Sequence, residues 1–215
     1  MTFSLGLQGV IVGSTTLQQA ALLRRGLTIE YISLVWMLIE CSVALSAGLM
    51  ASSFALLAFG GDSVIELMSS WAVLSYLRRM TTSTAAAQEN NRTEWITTIL
   101  LFLLIPTIGF GIIYSYLTGI VPESSALGIG VAIAAVIGMP VLAIEKKRIG
   151  SAGNLLPLSI DAIESWTCFY MSLALLTGLL VNYLWKIWWV DYVAAGVILI
   201  FVLREALEAL EEIRS

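Results

Sequence analysis

The chain has 215 residues, of which 59% are apolar and 12% are charged, and its mean hydropathy is +0.91. These proportions exclude a water-soluble domain, because soluble proteins carry about 25% charged residues to cover their surface. The 11 basic residues are outnumbered by 15 acidic ones, which excludes nucleic-acid binding, since phosphate contacts need a basic excess. Histidine is absent, so catalytic triads and metal sites built on imidazole are excluded too. We therefore expect an all-α polytopic membrane protein.

Six apolar runs are long enough to cross a bilayer, since a membrane helix needs about 20 mostly apolar residues. Lipid accommodates only helices or closed barrels, and long apolar runs without alternation favour helices. In chain order the predicted spans are about 29–47, 52–77, 95–117, 125–144, 155–183 and 188–207. A very short turn over 48–51 joins the first two. The predicted organisation is an N-terminal cytoplasmic or interfacial segment 1–28, a six-helix transmembrane domain 29–208 and a short cytoplasmic tail 209–215.

Basic residues fall almost entirely on one side of these spans. Only Lys186 lies on the other side. The ten on the common side are Arg24, Arg25, Arg78, Arg79, Arg92, Lys146, Lys147, Arg148, Arg204 and Arg214. Because cytoplasmic loops are enriched in Lys and Arg, we expect both termini in the cytoplasm. The predicted location is the cell membrane, which is the cytoplasmic membrane if the source is prokaryotic.

Acidic residues lie inside the predicted spans, and the first five spans contain no Lys or Arg. The acids are Glu40, Asp62, Glu66, Asp161 and Glu164. A charge at the bilayer centre costs about 2.5–3.5 kcal/mol, and no internal salt bridge is expected to offset it. These acids are therefore protonated, line a water-filled cavity or hold a cation. The acids that follow Arg204, including Glu205 and Glu208, are interpreted as a solvated helix end.

The spacing of these residues groups them on two helix faces. Asp62 and Glu66 are four residues apart, so they share one face. Asp161, Glu164 and Cys168 stand at positions i, i+3 and i+7, which is also one face. With the acid of the first span, they offer oxygen ligands from three helices and a thiol to one divalent ion. The sequence also allows two structural interpretations: packed neutral acids and a cysteine that acts as a small apolar residue.

Three stretches of the chain resemble the cation diffusion facilitator family of transporters. Residues 56–70 read LLAFGGDSVIELMSS and are similar to the family's second span, where two acids four residues apart bind metal. Residues 159–168 read SIDAIESWTC and resemble the fifth span, whose usual form carries a His and then an Asp. Aligned on Asp161, Glu164 takes the His position and Cys168 the last Asp position. Residues 175–210 resemble the sixth-span region.

The resemblance implies a divalent-cation exporter that works by proton antiport as a homodimer in the lipid bilayer, with no enzymatic activity and no catalytic cofactor. Zinc is the implied cargo, and ligation by oxygens without His fits manganese or iron as well. The chain looks like the shorter branch of the family, which lacks a cytoplasmic domain. The resemblance also implies that the first, second, fourth and fifth helices rock against the third and sixth. The predicted metal ligands are Asp62, Glu66, Asp161, Glu164, Cys168 and Glu40.

Two other functions stay open on the sequence. A non-transporting membrane metal sensor or scaffold would keep the same acidic residues. An intramembrane aspartyl protease would use Asp62 and Asp161 as a pair that shares a proton. The sequence argues against the protease, because Phe59 stands where the first glycine of the Gly-x-Gly-Asp motif belongs and no Pro-Ala-Leu run occurs.

The distribution of basic residues generates a testable prediction about topology. A reporter enzyme that works only in the cytoplasm should be active when it is fused after Ser215. Ten of the eleven basic residues predict the cytoplasmic side for the C-terminus. Activity of a periplasmic or luminal reporter at this position would contradict the six-span arrangement.

Overall fold

A computed structural model describes the backbone of residues 3–82 and 91–214 and the side chains of residues 19–81 and 98–211. Six helices occupy the described backbone, which confirms the all-α prediction there. They are α1 (Phe3–Ala51), α2 (Phe54–Thr82), α3 (Asn91–Thr118), α4 (Ala126–Gly153), α5 (Leu156–Trp185) and α6 (Trp189–Arg214).

Four of these helices contain stretches that are long and apolar enough to cross a membrane. The stretches are Gln19–Ala51, Thr98–Thr118, Ala126–Gly153 and Leu156–Trp185. They belong to α1, α3, α4 and α5, and they make the chain a multi-pass membrane protein. Helices α2 and α6 are the least apolar of the six.

The N-terminal helix is longer than the predicted first span. Helix α1 runs unbroken past residue 29, so the predicted boundary there is not a helix end. The local sequence explains this, since residues 18–23 are Gln, Ala and Leu, which favour helix. The turn after α1 falls at Ser52 and Ser53, later than predicted. Ser52 has a left-handed φ of 52°, and the Ser53 hydroxyl accepts a hydrogen bond of 3.2 Å from the Leu56 amide.

Helix α4 extends well beyond the predicted end of the fourth span at residue 144. Its first turn is capped by Ser125, whose side chain accepts a hydrogen bond of 3.0 Å from the Gly128 amide. It ends at Asn154, a left-handed residue whose amide donates to the Gly150 carbonyl. The prediction that placed three basic residues in a loop is wrong, because the charged segment after residue 144 is a good helix former and continues α4. These residues are Lys146, Lys147 and Arg148.

The predicted cytoplasmic loop between the second and third helices lies largely outside the described residues. Positions 83–90 are not described, while Thr81 belongs to the end of α2 and Asn91 begins α3. The side chains of Arg92 and Arg214, which contributed to the predicted orientation, also lie outside the described side chains.

The helices form a ring of four with a pair packed beside it. In the ring, α1 contacts α2 and α4, and α5 contacts α4 and α2. Helices α3 and α6 pack on each other and against α2, and α6 also contacts α5. The centre of the bundle holds the largest buried side chains, among them Met37, Phe59, Met139 and Met171. Large apolar side chains also cover the outer surface, as lipid contact requires.

Small residues bring neighbouring helices close together. A Cβ atom on Gly178 of α5 would lie 2.7 Å from the Ala194 Cβ of α6. A Cβ atom on Gly60 of α2 would lie 3.0 Å from the backbone nitrogen of Leu45 on α1. Helices in lipid associate through such close backbone approach, since apolar burial gives little driving force there.

A buried acid of α6 ties that helix to the start of α2. The Asp191 carboxylate is 1% exposed and accepts hydrogen bonds from the Ser53 hydroxyl and from the amide of Phe54 at 2.9 Å. The first amides of a helix have no partner within the helix, so Asp191 acts as an N-cap supplied by another helix. The cap fixes where α2 begins relative to α6.

This cap generates a prediction about stability. Asp191→Ala should lower the free energy of unfolding by about 1.5–3 kcal/mol, because it removes hydrogen bonds to a charged acceptor and leaves buried donors without partners. Thermal unfolding of the purified protein in detergent measures the loss. Glu123→Ala, which truncates an exposed acid, is the matched control and should leave the melting temperature unchanged. Equal melting temperatures for Asp191→Ala and the wild type would contradict the capping role.

Candidate cation site

Three helices bring acidic side chains to one buried region of the bundle. Glu40 of α1 is fully buried, and Asp62 and Glu66 of α2 are 4% and 6% exposed. On α5 the buried face carries Asp161 and Cys168, each 1% exposed. Helix α2 contacts both α1 and α5, so these three helices lie side by side in the ring.

Glu40 is the point at which α1, α2 and α5 meet. Its Oε1 accepts a hydrogen bond of 2.9 Å from the Ser63 hydroxyl of α2. The same oxygen accepts one of 3.6 Å from the Cys168 thiol of α5. Among the described residues, Glu40 Oε2 has no hydrogen-bond partner. One carboxylate thus links three helices and keeps an oxygen that a further ligand can use.

Glu66 is the least satisfied acid of the region. Both of its carboxylate oxygens are buried, and neither has a hydrogen-bond partner among the described residues. Glu40 and Asp62 lie close enough for their charges to act on it. Burial of a carboxylate without partners is costly, so this position gains most from a bound cation or a proton. We call the group of Glu40, Asp62, Glu66 and Cys168 the acidic cluster.

Glu164 lies at the edge of the acidic cluster. Its side chain is half-buried, and both oxygens accept hydrogen bonds from the Ser69 hydroxyl of α2, at 3.2 and 3.0 Å. Its charge acts on Asp62 and Glu66. On α5, Asp161 and Cys168 are thus buried, whereas Glu164 is half-buried and contacts α2.

Asp161 is paired with Lys146, a basic residue predicted to lie between the fourth and fifth spans. Lys146 of α4 is fully buried, and its Nζ lies 2.6 Å from Asp161 Oδ2 and 3.8 Å from Glu30 Oε1 of α1. The Ser70 hydroxyl donates a hydrogen bond of 3.1 Å to Asp161 Oδ1. The expectation that no internal salt bridge offsets these acids is wrong, because the extension of α4 carries Lys146 into the bundle. We call Glu30, Lys146 and Asp161 the charge triad.

Glu205 of α6 is a further residue that the sequence analysis missed. Its Oε2 is buried, with no hydrogen-bond partner among the described residues, and the charges of Asp62 and Glu164 act on it. The interpretation as a solvated helix end holds for Glu208, which is exposed, and is wrong for Glu205.

The described acidic side chains lie near one another but do not form a coordination site for a metal ion in this arrangement. Across the part of the chain whose side chains are described, no three acidic or cysteine side chains converge on a point that would hold a metal ion.

Comparison with known protein families decides how the chain is classified. The family model described as the cation efflux transmembrane domain matches residues 31–215. The chain belongs to the cation efflux family. Cation efflux proteins transport divalent metal cations across membranes and are not enzymes, and the resemblance to cation diffusion facilitators is confirmed. The comparison with curated proteins found no match.

The family match gives the acidic cluster its context. It covers the six helices from residue 31 of α1 onwards, and so all members of the acidic cluster lie within the cation efflux domain. Glu30 alone of the charge triad lies just before its first matched residue. Apart from Glu30, the buried acids of this cation efflux protein therefore lie in the matched part of the chain.

Proposed function

We propose that the protein exports a divalent transition-metal cation from the cytoplasm, with Zn²⁺ as the first candidate and Mn²⁺ or Fe²⁺ as alternatives, in exchange for protons. The acidic cluster and Glu164 are the proposed binding site. One observation carries the proposal: Glu66 has two buried carboxylate oxygens with no hydrogen-bond partner among the described residues, beside the acids of α1 and α2. A buried carboxylate of this kind marks an ion pathway by default in a membrane helix.

Exchange with protons follows from the chemistry of neighbouring carboxylates. Carboxylates that share a site with little water repel one another and share protons when no metal is present. A divalent cation binds the charged forms and displaces those protons. A site that opens alternately to the two sides of the membrane would then couple the outward step of the metal to inward movement of protons.

The arrangement of the helices supports a route for this alternation. Four helices form the ring, and α3 and α6 pack beside it as a pair. We propose that the ring rocks against this pair, within a six-span domain whose termini are both cytoplasmic and which assembles as a homodimer. Because Glu205 belongs to α6, this motion would change its distance to the acids of α2 and α5.

Asp161 has a different role from the other acids in the proposed site. Asp161 is paired with Lys146 at 2.6 Å, so it would reach a cation only by leaving that partner. An aspartyl protease would need Asp62 and Asp161 to share a proton. Asp161 is instead paired with Lys146, and no hydrogen bond joins Asp62 to Asp161 among the described side chains. We therefore place Glu40, Asp62, Glu66, Glu164 and Cys168 as cargo ligands and treat Asp161 as a supporting residue.

Flux in proteoliposomes tests the function directly. Purified protein is reconstituted with a metal-sensitive dye and a pH-sensitive dye inside the vesicles, and Zn²⁺, Mn²⁺, Fe²⁺ and Cd²⁺ are added outside in turn. The proposal requires metal uptake together with proton release from the vesicles. Metal binding without uptake would instead support the sensor or scaffold, and uptake without proton movement would remove the antiport step.

Asp62 provides a variant that separates charge from fold. Asp62→Asn should lower kcat/KM for metal at least about tenfold, because an interaction with a charged group is worth about 1.5–3 kcal/mol. The fold should survive, since the amide keeps the size and can still form hydrogen bonds. Glu208→Gln, which neutralises an exposed acid of α6, is the control and should transport like the wild type. Transport by Asp62→Asn at the wild-type rate would remove Asp62 from the ligands.

Cys168 provides a test of ion preference. A thiolate ligand favours Zn²⁺ and Cd²⁺ over Mn²⁺, and the Cys168 thiol lies 3.6 Å from Glu40 Oε1. Cys168→Ser should therefore weaken transport of Zn²⁺ and Cd²⁺ much more than that of Mn²⁺, while Cys168→Asp should shift preference towards the harder ion. Cys41→Ser is the matched control, since Cys41 is also buried but donates to the Leu38 carbonyl. An unchanged order of preference in Cys168→Ser would show that Cys168 only packs.

A further inference from the structure

The charge triad places the positive charge of Lys146 inside the bundle, and the proposed binding and exchange of the cargo do not use this charge. Lys146 is fully buried, and its Nζ faces Asp161 and Glu30 from two other helices. Among the described residues neither Glu30 oxygen has a hydrogen-bond partner. By formal charge the triad holds two carboxylates and one ammonium, so one negative charge is in excess.

The charge triad is close to the acidic cluster along two helices. On α2, Ser70 contacts Asp161 at 3.1 Å and follows Glu66 by four residues, a rise of about 6 Å. On α5, Asp161 precedes Glu164 by three residues, a rise of about 4.5 Å. A cation bound at Glu66 is therefore about one helical turn from the triad.

Stability alone is a weak explanation for the charge triad. Buried ion pairs can often be replaced by apolar residues of similar volume without loss of stability. The triad also leaves both oxygens of Glu30 without hydrogen bonds, whereas a purely structural network would be expected to satisfy them. Its clear physical effect is electrostatic, since charges interact strongly over such distances where water is excluded.

We infer that Lys146 is a positioning residue whose fixed positive charge weakens the hold of the acidic cluster on its divalent cargo and so speeds release. The inference rests on the proposed function of the acidic cluster. Lys146 keeps Asp161 and Glu30 out of the ligand set and opposes the positive charge of the cargo. Without it, Asp161 would lose its ammonium partner and would be available to attract the cation, which would bind more tightly and leave more slowly.

Transport and binding of Zn²⁺ in charge variants test this inference. Lys146→Met removes the ammonium and keeps an unbranched side chain, so KM and the equilibrium Kd should fall at least about tenfold while kcat also falls. Lys146→Arg keeps the charge and should retain the wild-type KM. Lys147→Met removes the neighbouring charge, which is exposed, and should match the wild type. A merely structural role would lower the amount of active protein without lowering KM or Kd.

Glu30→Gln tests the same inference in the opposite direction and leaves Lys146 paired with Asp161. It removes one negative charge from the triad, so KM and Kd for Zn²⁺ should rise. This variant decides the matter if Lys146→Met does not fold, and an unchanged Kd in Glu30→Gln would then overturn the inference. The inference is also overturned by an unchanged or higher Kd in folded Lys146→Met, or by the same lowered Kd in Lys146→Arg. A wild-type protein that moves no metal would instead overturn the proposed function.

Discussion

A charged group inside a bilayer must find a partner, and this requirement organises the centre of the protein. Lipid supplies no water to solvate a carboxylate, so the buried acids differ in how they are stabilised: some pair with Lys146, some bond to a hydroxyl or thiol, and some have no hydrogen bond among the described residues. Asp161 takes the first course and Glu40 the second. Glu66 takes the third, since its oxygens have no hydrogen-bond partner among the described residues. The different partners divide one acidic region into a compensated half and an uncompensated half.

Polar contacts of the acids also connect the helices of the ring to one another. Lys146 lies on α4 and contacts acids on α1 and α5, while Glu40 connects α1 to α2 and α5. The three helices that supply the proposed ligands are therefore cross-linked by polar contacts, and Lys146 ties α4 to two of them. Helices α3 and α6 contribute few such contacts to the centre, Glu205 being the described acid of α6 that faces it.

Sequence patterns predicted much of this structure because the strongest signals are local. Apolar length identified the helices, and helical spacing placed Asp62 with Glu66 on one face. Lys146 was misplaced because hydropathy ended the fourth span early. Helical periodicity contains the missing signal, since Lys146 continues the buried stripe of Ala135, Met139 and Leu142. Contacts such as that between Glu40 and Cys168, which are 128 residues apart, depend on how helices pack, and no local pattern specifies them.

The Asp191 cap has a consequence for how far parts of the molecule can travel relative to one another. It joins α6 to the first turn of α2, so that end of α2 is anchored while the other end is free of this bond. Helix α2 has 29 residues and is about 44 Å long. With the cap as fulcrum, a tilt of about 5° would displace the far end of this lever by about 4 Å. A small angular change at the anchored end would therefore become a displacement of several ångströms at the opposite end of the helix.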